Sequence, residues 1–142
     1  MSEPIELRPG VENVDFEALT RLLGGTYWVP GIAEWEVRTA AENAAYVVSA
    51  YQNGKQVGFA RVISDKIRFA YFSDVVVDEG CRGQGIGHQM IDHILHCETL
   101  KNVYQWLLYT DDAGGFYARH GFAPLQKPGT WMEIRSPRPE RP

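Results

Sequence analysis

Apolar and polar residues change period several times along this chain, and each change marks an element. Ile5 and Leu7 alternate with Glu6 and Arg8, as in a short strand. From Asp15, the residues Phe16, Leu19, Leu22 and Leu23 recur at helical spacing until Gly24-Gly25 stops them. Tyr27-Trp28-Val29-Pro30-Gly31 reads as a loop by its Pro-Gly pair, and residues 33–45 have the alanine and charge content of a second helix. Residues 46–51 and 56–63 are β-branched and aromatic runs around Gln52-Asn53-Gly54-Lys55, and Asn-Gly is the strongest short hairpin signal. Residues 67–77 supply the next strand of an antiparallel meander. A glycine-dense loop follows, then a helix from Gly87 to about Cys97, a strand over 104–109, a short helix from Phe116 to His120 and a final strand pair closing on Trp131-Met132-Glu133-Ile134. This order predicts an α+β fold.

The glycine-dense loop, Cys81-Arg82-Gly83-Gln84-Gly85-Ile86-Gly87-His88, lies between the strand-like Asp74-Val75-Val76-Val77 and a helix marked by Met90, Ile91, Ile94 and Leu95. Glycines let a backbone take positive φ and bring its N–H groups close to a ligand, and a helix N-terminus favours an anion. The segment therefore has the build of a phosphate cradle. A P-loop would end in Gly-Lys-Ser/Thr, whereas Gly85 is followed by Ile86-Gly87-His88. The dinucleotide fingerprint G-x-G-x-x-G belongs after an early strand, and Gly83-x-Gly85-x-Gly87 has a different step and sits past mid-chain.

Bulk properties narrow the field. At 142 residues without repeats, the expectation is one domain over 1–135 with a frayed Pro-rich tail over 136–142. Fourteen Lys and Arg against eighteen Asp and Glu give a net charge of -4 with no basic cluster, which argues against nucleic acid and anionic membranes as partners. No apolar run has the length of a membrane span and the start lacks signal-peptide character, so a cytoplasmic location is expected. Cys81 and Cys97 form no C-x-x-C pair, and His93 and His96 fall on the polar helix face with Gln89 and Asp92, so no metal is expected.

The remaining pattern, R-x-x-G-x-G at Arg82, Gly85 and Gly87, resembles the pyrophosphate loop of the GNAT superfamily of N-acetyltransferases. Downstream, Ala113, Tyr117, Gly121 and Phe122 are similar in register to that family's N-x-x-A-x-x-x-Y-x-x-x-G-F segment. The resemblance implies a central, mostly antiparallel mixed sheet flanked by helices, and acetyl-CoA as co-substrate. It assigns the backbone of Val75, Val76 and Val77 to the pantetheine arm and Arg82, Gly83, Gln84, Gly85, Ile86, Gly87 and His88 to the pyrophosphate, with Thr110 and Ala113 on the coenzyme side. It makes Tyr117 the proton donor to the departing thiolate. The implied reaction moves an acetyl group to a primary amine of a small molecule or peptide by direct attack in a ternary complex, and a homodimer is in keeping with the family.

Two positions depart from the family pattern. Thr110 stands where the family has asparagine. Several members carry a glutamate on the strand before the loop, where this chain offers only Asp74. Asp74 reads either as a general base, directly or through water, or as a buried acid held by backbone N–H groups. Strand alternation would put Ser73 and Asp74 on opposite faces. Tyr27 and Trp28 fall where the family builds its acceptor pocket, and aromatic walls can hold an apolar or cationic amine. Cys81, beside the loop, is a candidate for oxidation or alkylation. The missing glutamate and the Thr110 exchange leave open a non-catalytic acyl-CoA-binding module.

Overall fold

The computed structural model describes residues 3–141. The chain forms two compact units, Met1–Tyr109 and Thr110–Pro142.

The first unit holds a five-stranded sheet in the order β1 (Glu6–Pro9), β2 (Tyr46–Gln52), β3 (Lys55–Ser64), β4 (Phe69–Val77) and β5 (Gln105–Leu107). The first four strands pair antiparallel in sequence order, and β5 joins β4 in parallel. The Asn53-Gly54 turn between β2 and β3 has φ of 53° and 74°, the left-handed pair that a tight hairpin requires.

Three helices cover the sheet. α1 (Phe16–Gly24) starts where Asp15 accepts the Ala18 N–H at 3.1 Å, and α2 (Glu34–Glu42) follows the Pro-Gly loop. Leu19 and Leu23 of α1 and Val37 and Ala41 of α2 form one core cluster with Val47, Phe59 and Val76. α3 (Ile86–Leu95) meets the opposite face. A Cβ at Gly58 would stand 3.2 Å from the Met90 methyl and 3.3 Å from Ile86 Cγ2, so glycine there is what lets α3 lie so near β3. The buried Gln56 ties this core to α1: it accepts the Asp15 N–H at 2.7 Å and donates to Ser49 Oγ and the Gly58 carbonyl.

The second unit contains α4 (Gly114–Ala118) and a ring cluster of Phe116, Tyr117, His120 and Phe122 with centroids 4.9–5.9 Å apart. The expected final strand pair is absent: among the described residues no strand follows Leu107. Met132 and Ile134 are fully exposed. Alternation in a sequence suits a segment to a sheet, but a strand exists only with a ladder partner, and 131–134 has none.

At the β3–β4 turn, Asp65 accepts the N–H groups of Ile67, Arg68 and Phe69 at 2.8–3.1 Å, which hold its carboxyl below the usual aspartate value. A lowered folded pKa adds stability above the unfolded value that disappears as pH falls through the folded one. Asp65→Ala should therefore lower Tm at neutral pH, and the gap should close as the pH drops below about 3.9; thermal melts across pH 2–7 check it.

Candidate functional site

The site is built where β4 leaves its neighbours. β4 and β5 pair only over Phe69–Gln105, Ala70–Trp106 and Tyr71–Leu107. The rings of Phe72 and Trp106 stack at the fork with centroids 5.6 Å apart. Beyond it, the β4 edge from Phe72 to Val77 has no strand on the β5 side among the described residues. Such an edge presents main-chain groups to which an extended ligand can add. Val76 is buried against α1 and α2, while Val75 and Val77 are half-buried, so the strand is core and edge at once.

This edge runs directly into the glycine loop. Asp78 accepts the Gly80 N–H at 2.9 Å and starts a turn over Glu79–Cys81. Gly83 and Gly85 take φ of 84° and 76°, and Gly85 is the N-cap of α3. The first-turn N–H groups of α3, beginning with Ile86 and Gly87, have no carbonyl behind them within the helix, and its dipole adds positive potential. Arg82 is exposed beside them, and His88 lies in the first turn of the helix. Gln84 braces the loop: its amide donates to the Cys81 carbonyl at 3.2 Å and its oxygen accepts from Gln52 at 2.9 Å. Gln52 was not among the residues expected here, since only the fold brings β2 to the loop.

The middle of the edge carries a bulge. Phe59 faces Val76 while Arg61 faces Ser73, so Asp74 and Val75 together oppose Ala60. Asp74 lies at φ 54°, a region that residues other than glycine enter rarely. The bulge overturns the expected alternation, because Arg61 reaches both neighbours: Nε donates to Asp74 Oδ2 at 2.8 Å and Nη2 to Ser73 Oγ at 3.2 Å. Asp74 Oδ1 accepts the Trp28 indole N–H at 3.1 Å. The partners of Asp74 are thus side chains from β3 and from the loop after α1, whereas the structural one of its two readings had backbone N–H groups in that place. Tyr27 packs edge-on against Trp28 with centroids 5.0 Å apart.

The histidines divide. His96 is exposed beside Asp92, as its place on the polar face predicts. His93 instead lies 2.7 Å from the Tyr46 hydroxyl of β2. No three His, Cys, Asp or Glu side chains converge as a metal-holding group among the described residues, and none of their helices is long and apolar enough to cross a membrane. Cys81 and Cys97 are both unbridged thiols, and burial pushes the Cys97 thiol up.

In the second unit, Thr110 Oγ1 accepts the Ala113 N–H at 3.1 Å, and the Tyr117 N–H donates to the Ala113 carbonyl. Gly121 turns the chain at φ 97° so that the Phe122 N–H returns to the Tyr117 carbonyl and its ring meets the Tyr117 ring. The Ala-Tyr-Gly-Phe register is therefore one local knot.

The profile described as Acetyltransferase (GNAT) domain matches residues 43–124, from the end of α2 through the Phe122 knot. The chain belongs to the GNAT acetyltransferases. A GNAT-assigned protein of Xanthomonas campestris pv. campestris is 32% identical and superposes with a TM-score of 0.90 over 96% of each chain. An uncharacterized N-acetyltransferase of Pyropia yezoensis is 28% identical over 78% of this chain and 66% of its own length. The chloroplastic serotonin N-acetyltransferase 2 of Oryza sativa subsp. japonica is 31% identical over 66% of this chain and 50% of its own. This GNAT chain thus spans half to two thirds of the curated relatives it matches.

The side chains of Arg61 and Asp74 are only 15% and 10% exposed. Removing one partner of such a pair strands a charge, so Asp74→Ala should cost about 3–5 kcal/mol. Arg61→Met combined with Asp74→Ala should cost less than the sum of the two, and urea denaturation of the singles and the double checks it.

Proposed function

We propose that this GNAT protein moves the acetyl group of acetyl-CoA to the primary amine of a small molecule or peptide by direct attack in a ternary complex. The observation that carries the reading is the unpaired β4 edge at Val75–Val77 running into the glycine loop at the N-terminus of α3. Acetyl-CoA, when bound, supplies an activated thioester. The main chain of Val75, Val76 and Val77 takes the pantetheine arm as an added strand, and one of its N–H groups serves the developing oxyanion. The loop from Arg82 to His88 takes the pyrophosphate on glycine-exposed N–H groups and the helix end. The family register gives Thr110 and Ala113 to the coenzyme side as well.

Tyr117 donates the proton to the leaving thiolate. A phenol with an ordinary pKa of about 10 gives its proton to a thiolate near 8.5 only uphill in water, so the gain depends on positioning and is moderate. The amine, with an ordinary pKa near 10, loses its proton to water, and Asp74, held by Arg61 on one oxygen and by Trp28 on the other, serves as an anchor. Tyr27 and Trp28 form the acceptor wall. The rice relative is named for an aromatic amine, and an exposed pair of rings suits an acceptor with an apolar body.

Thiol release in the presence of a panel of aromatic amines, amino acids, polyamines, aminoglycosides and peptides should identify at least one acceptor. With it, Tyr117→Phe should lower kcat roughly ten- to hundredfold while leaving acetyl-CoA affinity largely intact. Equal turnover in the variant would remove Tyr117 from the mechanism. Acetyl-CoA binding without transfer to any amine would favour a non-catalytic acyl-CoA module instead.

A further inference from the structure

The loop between α1 and α2 reaches the sheet through one side chain of particular geometry. Trp28 is 38% exposed, yet its indole N–H crosses to an aspartate 46 positions later in the chain. That aspartate sits in the β4 bulge in a left-handed conformation, immediately before the edge at Val75–Val77. Its other oxygen is held by Arg61, whose guanidinium also grips Ser73. One planar fork thus fixes the bulge residue Asp74 and the Ser73 that precedes it, a task that a single-point ammonium performs less well. With Tyr27 against its ring and Asp74 on its N–H, Trp28 is restrained from two directions.

We propose that Arg61 is a positioning residue for amine capture: through Asp74 it fixes the Trp28 indole beside the β4 bulge and so sets affinity for the acceptor more than the rate of acetyl transfer. The proposal rests on the acetyltransferase reading and deepens it. Asp74 is then an anchor for the acceptor wall and not the group that takes the amine proton. Acceptors with an apolar or aromatic body beside the amine depend on this anchor most, because their binding requires a ring held in one orientation.

The test uses Arg61→Met, Arg61→Lys, Asp74→Asn and Trp28→Phe in the full chain, with kcat and both KM values measured. The Trp28 indole N–H resonance, assigned by its loss in Trp28→Phe, is followed in parallel. Arg61→Met should raise the acceptor KM about tenfold, as expected for a lost hydrogen bond to a charged group, with a smaller change in kcat and in the acetyl-CoA KM. The indole resonance should shift, and Arg61→Lys should recover part of both effects. Trp28→Phe and Asp74→Asn should share the pattern, which keeps the proposal testable should Arg61→Met fail to fold.

A loss of about a hundredfold or more in kcat for Asp74→Asn at unchanged acceptor KM would overturn the proposal and make Asp74 the base. An unmoved indole resonance in a folded Arg61 variant would overturn it as well. A wild-type protein that transfers acetyl to no amine while the resonance still responds to Arg61 would overturn the functional reading and the acceptor role together, yet uphold the geometry of the anchor.

Discussion

Two residues of β4, Asp74 and Val75, face one residue of β3, and the strand keeps that surplus residue because Arg61 and Trp28 hold the Asp74 carboxylate in place. A left-handed aspartate within a strand costs roughly 1–2 kcal/mol in backbone energy. A nearly buried ion pair, anchored further on Ser73, offsets that cost locally. The bulge re-aims β4 as it enters Val75–Val77. With pairing to β5 ending at Tyr71, the strand leaves its neighbour and exposes its edge. The open edge begins where the three-residue β5 ends, and the bulge then ties that edge to the aromatic wall at Trp28.

The glycine loop answers a different constraint. An anion needs several N–H groups converging on it, and a backbone can turn them outward only where φ may be positive. Gly83 and Gly85 supply those positions and α3 supplies the dipole. α3 itself is held close to the sheet by Gly58 and bound into the core by Ile86, Met90, Ile91 and Ile94. Gln84 and Gln52 then fix the loop to β2, so the cradle is braced by the same sheet that presents the open edge.

Much of this was legible in the sequence wherever the cause is local. Asn53-Gly54 announced a hairpin because few other pairs accept two left-handed residues in succession. Asp15 announced a helix start, and the glycines of the loop announced their own conformation. What could not be read depends on partners distant in sequence. Alternation placed Ser73 and Asp74 on opposite faces, and only the register between β3 and β4 shows that both converge on Arg61. Arg61 entered only as one position of the strand over 56–63. His93 was read as solvated because its helix face is polar, yet β2 brings the Tyr46 hydroxyl to it. The closing Trp131–Ile134 run has the pattern of a strand and lacks the partner that would make it one. Tyr117 and the Gly121-Phe122 turn were found by family register, and the knot they form accounts for that spacing.

The most direct test is calorimetric titration of the folded protein with acetyl-CoA, set beside Gly85→Glu. Space around Gly85 is open, so the variant should fold while placing a carboxylate at the helix end and straining a left-handed position. Saturable one-to-one binding by the wild type, weakened at least about tenfold in the variant, is the predicted result. A folded wild-type protein that does not bind acetyl-CoA would contradict the account.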